Sequence, residues 1–375
     1  TETLDTDIFM RTLDIYNKAH KSISHISPRV LQLISAYSKC VNQRLLDIKQ
    51  NGLGRGAPNL FLFPPKVAPW TPTDSVAILK LIALQNNESA QKEIIRLNLL
   101  KVGVSSKRLS DLFSGIPDIS ASNTLSNIDS LSGLKSAANL DKLISTDLNS
   151  KNPLTNTDSG APNASNIWVS LPSRTASRNT LVGYNLHTKF EVPIAWMIAK
   201  LRFNNNTLIG ATIPGIPAIF AGRSKFISWG VASSNLDNQD LVIERINPNN
   251  PEEYLDNGEY KNFEKRTVLI NIRGKPGLTH VIRSTKRGPI IPPEAYGLKT
   301  IVSTNQAVTL KWTGLDPKDK SIESLILTMS SKDISTARQA LKYLVVPSYN
   351  VLLADTKRAV LVSAGKIPNR IEKLN

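Results

Sequence analysis

An α+β fold is predicted for this 375-residue chain, with a helical first third ahead of a strand-rich remainder. Three observations carry that prediction. Residues 1–113 repeat apolar side chains at three- and four-residue steps, as in Phe9-Met10-Arg11-Thr12-Leu13 and again at Val30, Leu31, Leu33, Ile34 and Tyr37, the period of a helix with one buried face. From residue 165 onward, short runs rich in Val, Ile, Thr and aromatic residues alternate with Gly, Asn and Pro, the texture of antiparallel strands and turns. Between the two lies 114–164, dominated by Ser, Asn, Asp and Gly, a composition with too little apolar surface to build a core. The chain thus divides into a helical part (1–113), a spacer or linker (114–164) and a sheet-forming part (165–375).

In the helical part, Gly52 to Pro72 is rich in Gly and Pro and reads as a loop. The run Pro69-Trp70-Thr71-Pro72 then reads as a helix start, with Thr71 as cap and proline in the first turn. Helices are expected over about Asp74–Leu84 and Ala90–Val102, the latter carrying Glu93. In the third part, strands are expected at Ile167–Leu171, Thr180–Tyr184, Ile194–Leu201, Leu208–Ile213, Ala218–Ala221, Phe226–Val231, Leu241–Ile246, Arg266–Ile272, His280–Ser284 and Ala307–Trp312. Helices over Ser321–Met329 and Ile334–Leu344 follow. The pair Asn350–Ala354 and Ala359–Ser363 closes a hairpin across Asp355-Thr356-Lys357-Arg358. Antiparallel strands followed by helices that cover them make α+β the expected class.

Composition narrows the function classes. A hydrophobic content of 41% supports a substantial core. No apolar run approaches the roughly 20 residues of a membrane-spanning helix, and no leader of the secretory type stands ahead of Thr1. The missing initiator Met points to a processed or excerpted chain. Cys40 is the only cysteine, which excludes intramolecular disulfides and a thiolate cage for zinc. Lys and Arg number 46 against 30 Asp and Glu, a formal charge of +16 that favours an acidic partner, RNA or anionic lipid. The cations are dispersed, without zinc-finger spacing or an RNA-binding signature, so charge alone names no partner.

Chemistry concentrates where the spacer ends. Ser165 opens the run Ser165-Asn166-Ile167-Trp168-Val169 directly after the turn material Gly160-Ala161-Pro162-Asn163 and the small residue Ala164. A serine with a free α-amino group carries its own general base, because an amine of pKa near ~8 can accept the hydroxyl proton as the oxygen attacks a carbonyl. Exposing that amine requires cleavage between Ala164 and Ser165. The same hydroxyl can perform it by attacking the Ala164 carbonyl and forming an ester that water opens. The pattern predicts a self-cleaving amidase.

These motifs together resemble the penicillin amidase (penicillin acylase) family of N-terminal-nucleophile hydrolases, which includes acyl-homoserine lactone acylases. The resemblance covers nearly the whole chain. It is carried by Phe9–Leu13, Pro69-Trp70-Thr71-Pro72 with Asp74-Ser75, Ser165-Asn166 with Trp168, Ser173-Arg174-Thr175-Ala176-Ser177, Pro214-Gly215-Ile216-Pro217, Trp229-Gly230, Asp237-Asn238-Gln239-Asp240, Arg287-Gly288-Pro289, Lys311-Trp312-Thr313 and Ala364-Gly365-Lys366-Ile367-Pro368. It implies stacked antiparallel sheets covered by helices (αββα), with Ser165 as nucleophile, His187 beside it as a support of maturation, and an oxyanion-hole N–H at Ser233 or Ser234. It also implies a structural calcium on Glu93, Asp237 and Asp240 with the carbonyls of Gln239 and Pro368. Three carboxylates gathered from distant segments would repel without such a cation. The acyl pocket implied at Thr188, Ala221 and Val231 has smaller side chains than a phenyl-binding site, which favours an aliphatic or bulkier acyl group on a small-molecule amide.

Departures from the family pattern fall at Tyr184-Asn185-Leu186, at Arg223-Ser224 and at Arg287, each in place of family Asn, Asp, Pro or His residues. Family segments expected before Thr1 and after Asn375 would come from a companion polypeptide or from the rest of a longer protein of which this chain is an excerpt. Family members are generally exported, which implies a periplasmic location. The alternative expectation is a catalytically inactive subunit of a large RNA- or membrane-associated assembly, for instance in mitochondria.

Overall fold

The computed structural model describes residues 3–50, 67–101, 103–112, 165–186, 194–203, 205–300 and 302–370. The spacer expected over 114–164 lies outside them, as do Ala164, His187 and Thr188. The first part is built of helices: α1 Leu4–Leu13, α2 Ile15–Ile23, α3 Pro28–Gln50, α4 Pro72–Gln85, α5 Ser89–Lys101 and α6 Ser106–Leu112. Helix α4 starts as its capping residues dictate. The Thr71 backbone N–H and hydroxyl donate to Asp74 Oδ2 at 2.7 and 2.6 Å, while Pro72 takes a first-turn position whose N–H has no helical partner in any case. Its apolar residues serve two cores. Val76 and Leu79 pack with Ala19, Val30, Ile34, Ile216 and Phe220, and Ala83 and Leu84 with Phe9, Leu13, Ile94 and Leu310. Among the described residues, no helix is long and apolar enough to cross a membrane.

The third part forms antiparallel sheets. The largest has the order β15-β14-β6-β5-β4-β3, from β3 Met197–Phe203, β4 Asn206–Thr212, β5 Ala221–Arg223, β6 Ser228–Ser233, β14 Tyr349–Ala354 and β15 Ala359–Ala364. A second, β13-β7-β8-β9, uses β7 Gln239–Asn247, β8 Asn250–Asp256, β9 Glu259–Asn262 and β13 Gln306–Trp312. A third joins β10 Glu264–Ile270, β11 Leu278–Thr285 and β12 Gly288–Pro289, and β1 Ser165–Ser170 pairs with β2 Leu181–Leu186.

Layering follows from strand alternation. A Cβ on Gly230 would sit 3.3 Å from Ile167 Cγ2 and 3.4 Å from Tyr184 Cβ, so β1 and β2 lie on the face of β6 toward which Gly230 points. Trp229 and Val231, its neighbours, point to the opposite face. There they share a core with Ile322, Leu325 and Ile326 of helix α7 (Ser321–Met329) and Ala337 and Leu341 of helix α8 (Ile334–Leu341). Helices, the six-stranded sheet and the β1–β2 pair are therefore stacked in that order, an α+β architecture.

Two elements differ from expectation. The strand expected over Ala218–Ala221 is displaced to Ala221–Arg223, because the turn of Pro214-Gly215-Ile216-Pro217 continues through Ala218, whose N–H donates to the Ile216 carbonyl at 2.8 Å. The β8–β9 hairpin was not expected, since its strands are rich in Pro, Glu and Asn. Its signal is the two-residue loop Asn257-Gly258, both at positive φ (53° and 87°), the turn whose twist matches a hairpin.

Buried charges tie the parts together. Lys80 of α4 is fully buried, and its Nζ donates to Asp319 Oδ2 at 2.6 Å and to the Gly314 carbonyl at 2.8 Å. Asp319 accepts in turn from the Ser321 N–H and hydroxyl, and Ser321 Oγ accepts from the N–H groups of Val345 and Val346. In the second and third sheets, Arg287 donates to both carboxylate oxygens of Glu244 and to Asp256 Oδ1. Thus the arginine at a family histidine position is fully engaged.

Lys80→Met is expected to lower the unfolding free energy by about 3–5 kcal/mol in urea titration, because Asp319 keeps its charge while losing its counter-ion. Asp256 supplies a pH test. Hydrogen bonds from Lys261 and then Lys286 hold its pKa down to about 2, against an ordinary 3.8. A depressed carboxylate stabilises the fold above its unfolded value and loses that contribution as pH falls through its folded value. The urea midpoint of the protein is therefore expected to drop between pH ~4 and pH ~2, and Asp256→Asn to lack that component.

Candidate active site

Ser165 stands at the head of β1, where the register pairs it with Leu186 of β2. Gly230 permits Ile167 of β1 to approach β6. On the outer face of the β1–β2 pair, Gly183 lies under the Trp168 ring opposite it in the register, where a Cβ would sit 2.2 Å from the indole. Tyr184 anchors β2 by donating its hydroxyl to the Ala221 carbonyl at 3.1 Å. The result is a contact between the first residue of β1 and the last of β6: the Ser233 N–H donates to Ser165 Oγ at 2.9 Å. Main-chain donors beside a nucleophile are the kind of group that holds an oxyanion in acyl transfer.

Ser233 is held from its other sides as well. Its hydroxyl donates to Asn235 Oδ1 at 3.0 Å, and its carbonyl accepts from the Asn350 side-chain amide at 3.4 Å. Asn350 Oδ1 accepts from the Ser363 hydroxyl at 2.6 Å. Asn350 was not among the residues singled out by the sequence, although a lone polar residue in Tyr349-Asn350-Val351-Leu352-Leu353-Ala354 is a usable signal, since Asn350 faces the β1 side of the sheet with Leu352 and Ala354. Ser234 donates its N–H to the Ser348 carbonyl at 3.5 Å, and its buried hydroxyl has no partner among the described residues. Of the expected pair of donors, Ser233 is the one brought to Ser165.

The residues expected to line an acyl pocket fall elsewhere or outside the described residues. Ala221 is fully buried, and Val231 points into the core beneath α7 and α8, beside Leu325 and Tyr349, on the face of β6 away from β1. The resemblance implied Val231 for the acyl pocket, whereas strand alternation sets it on the face of β6 turned away from Ile167 of β1. Thr188 and His187, the latter next in sequence after the partner of Ser165, lie outside the described residues, as does Ala164.

Glu93, Asp237 and Asp240 do converge, one oxygen from each lying within 4.8 Å of the others. Helix α5 brings Glu93 to β7, where its Oε2 accepts the Leu241 N–H at 2.7 Å. Burial pushes the Glu93 pKa up to about 8, with Asp240 and Asp237 adding to the rise against the Leu241 hydrogen bond and Arg370. The Asp237 pKa is raised by burial, opposed chiefly by Arg370. Gln239 is fully buried at the start of β7, its Oε1 accepting from the Ala90 N–H at 3.4 Å, and Pro368 is buried two residues from Arg370. Arg370 was not anticipated. Its Nη2 donates to Asp237 Oδ2 at 2.8 Å, to the Asp237 carbonyl at 3.0 Å and to Asp240 Oδ1 at 2.7 Å, while Nε donates to Asp240 Oδ1 at 3.0 Å. Nothing local in Pro368-Asn369-Arg370 announces that role, because the partners lie 130 residues or more earlier in the chain.

Stacked helices and antiparallel sheets, with a serine heading the first strand, define an α+β architecture. The family model described as Penicillin amidase matches residues 1–374, and the chain belongs to the penicillin amidase family. An acyl-homoserine lactone acylase, QuiP, of Pseudomonas aeruginosa is 25% identical over 98% of this chain and 43% of its own length. The penicillin acylase 2 proenzyme of a Pseudomonas species is 22% identical over 98% of this chain and 46% of its own. A solved thermostable penicillin G acylase from Alcaligenes faecalis is similar over 53% of this chain and 35% of its own, at 19% identity and a TM-score of 0.46. The chain thus spans less than half the length of the curated relatives named here.

Gly230→Val tests the β1–β6 contact. Its side chain must displace Ile167 and Tyr184, so the unfolding free energy is expected to fall by about 1–3 kcal/mol in urea titration, and by less than this relative to Ile167→Ala when the two changes are combined, the Tyr184 contact remaining.

Proposed function

We propose that the protein is an amidohydrolase of the penicillin acylase and acyl-homoserine lactone acylase type, cleaving a linear amide through an ester on Ser165. The observation that carries this reading is the Ser233 N–H 2.9 Å from Ser165 Oγ. Cleavage of Ala164–Ser165 comes first and frees the α-amine. That amine accepts the Ser165 hydroxyl proton as Oγ attacks the substrate carbonyl, and the developing oxyanion is held by the Ser233 N–H, a donor worth about 3 kcal/mol in such sites. Collapse expels the amine of the substrate with the proton held at the α-amino group. Water, deprotonated by the same group, then opens the ester and releases the carboxylic acid. His187 enters the reading as a residue supporting maturation, on family resemblance alone.

Maturation makes two chains from one. Residues up to Ala164 and residues from Ser165 onward stay joined through the buried Lys80–Asp319 pair and through Glu93, which accepts from Leu241. A companion segment supplying further family elements is part of the proposal, in keeping with the greater length of the relatives. The oxygens of Glu93, Asp237 and Asp240 suit a hard cation, and calcium is the ion proposed for them, with the carbonyls of Gln239 and Pro368 as further ligands. Such an ion would serve the structure by neutralising the cluster. The scaffold alternative is not favoured by relatives named as acylases.

Intact-mass measurement and N-terminal sequencing of the native protein are expected to reveal a chain beginning at Ser165. Ser165→Ala is expected to remain one uncut polypeptide and to lose amide hydrolysis by at least about 10³-fold. An uncut native protein that still hydrolyses amides would refute the reading.

A further inference from the structure

The carboxylate cluster already holds a cation that belongs to the chain. We propose that Arg370 is the resident counter-ion of Glu93, Asp237 and Asp240, so that its guanidinium and a divalent metal are alternative occupants and metal binding requires Arg370 to leave. This rests on the calcium reading of the cluster and adds to it an internal competitor.

Geometry gives the first reason. The guanidinium makes four hydrogen bonds to Asp237 and Asp240, all at 2.7–3.0 Å, and takes up Asp237 Oδ2, Asp240 Oδ1 and the Asp237 carbonyl. Calcium needs six to eight oxygens at roughly 2.3–2.6 Å, and an ion drawing on these oxygens would lie against a guanidinium of like charge already seated on them. The planar fork of arginine is preorganised for such carboxylates and keeps its charge at any working pH.

The approach of Arg370 is also fixed by the segment that carries it. The Lys366 N–H donates to the Val345 carbonyl at 3.2 Å, and the Lys366 carbonyl accepts from the Thr313 hydroxyl at 3.1 Å. The Asn369 carbonyl accepts from Lys311 Nζ at 3.2 Å. Residues 365–370 are thereby laid along the end of β13 with Arg370 directed at the cluster.

Charge explains why exchange is possible. One guanidinium offsets one of three carboxylates, whereas a divalent ion offsets two, so a metal gains electrostatically what it must recover from the broken arginine bonds.

The test is calcium titration by calorimetry of the EDTA-treated full-length protein, its Arg370→Met variant and its Arg370→Lys variant, with thermal unfolding in EDTA and in calcium. Arg370→Met is expected to bind calcium at least about tenfold more tightly than the native protein. It should also melt at a temperature that depends on calcium, while the native melting temperature hardly changes. Arg370→Lys, with one ammonium in place of the fork, should fall between them, and it serves if the Met variant does not fold. Adding Asp240→Asn to Arg370→Met should abolish the gain, which places the ion in the cluster. Equal, tight calcium binding by native protein and variants would overturn the competition while leaving the metal site standing. No calcium binding by a folded Arg370→Met protein would overturn the metal reading and the competition with it.

Discussion

A single buried ammonium holds this architecture together. Lys80 has no exposed surface, and an isolated charge in that position would cost several kcal/mol, so the fold is viable only because Asp319 and the Gly314 carbonyl meet it within 2.6–2.8 Å. Through Asp319 and Ser321 the same chain of bonds reaches the N–H groups of Val345 and Val346, just ahead of β14. This polar tie adds to the apolar contacts that Val76, Leu79, Ala83 and Leu84 of α4 make with the strand-rich part. Helix α5, which follows it after a short turn, can then deliver Glu93 to the start of β7.

The nucleophile depends on a different constraint, the absence of side chains. Gly230 lets β1 and β2 lie close to β6, and the approach carries the Ser165 hydroxyl to the last N–H of β6. Beyond Ser233 the chain turns at Asn235, in the left-handed conformation that asparagine tolerates, and runs on to Asp237 and Asp240. One strand and the turn after it therefore serve both the serine and the cation cluster. The coupling is short and covalent.

Departures from the family pattern have been absorbed rather than left as defects. Arg287, at a position where histidine is usual, is paired with Glu244 and Asp256, and the Thr285 and Thr309 hydroxyls complete the environment of Glu244. Ser224 accepts from the N–H groups of Phe226 and Ile227 and so shapes the turn before β6. Tyr184 spends its hydroxyl on the Ala221 carbonyl, anchoring β2 to the large sheet. Tyr184, Ser224 and Arg287 are each matched by a partner within hydrogen-bond reach.

Sequence alone determined what depends on local periodicity and on residue chemistry: most of the order of helices and strands, the helix start at Thr71 and Pro72, and the serine opening the sheet-forming part, while the three acids of one cluster were reached through family resemblance. Apolar spacing of 3.6 or 2 residues is written directly in the chain, and a hydroxyl or carboxylate declares its chemistry wherever it stands. Tertiary structure decided the rest. Which of Ser233 and Ser234 faces Ser165, that Val231 turns toward the helices, and that Arg370 enters the acidic cluster all depend on strand register and on contacts across more than sixty residues. A one-residue step along a strand reverses the face, and no short-range pattern records a partner that only folding brings near.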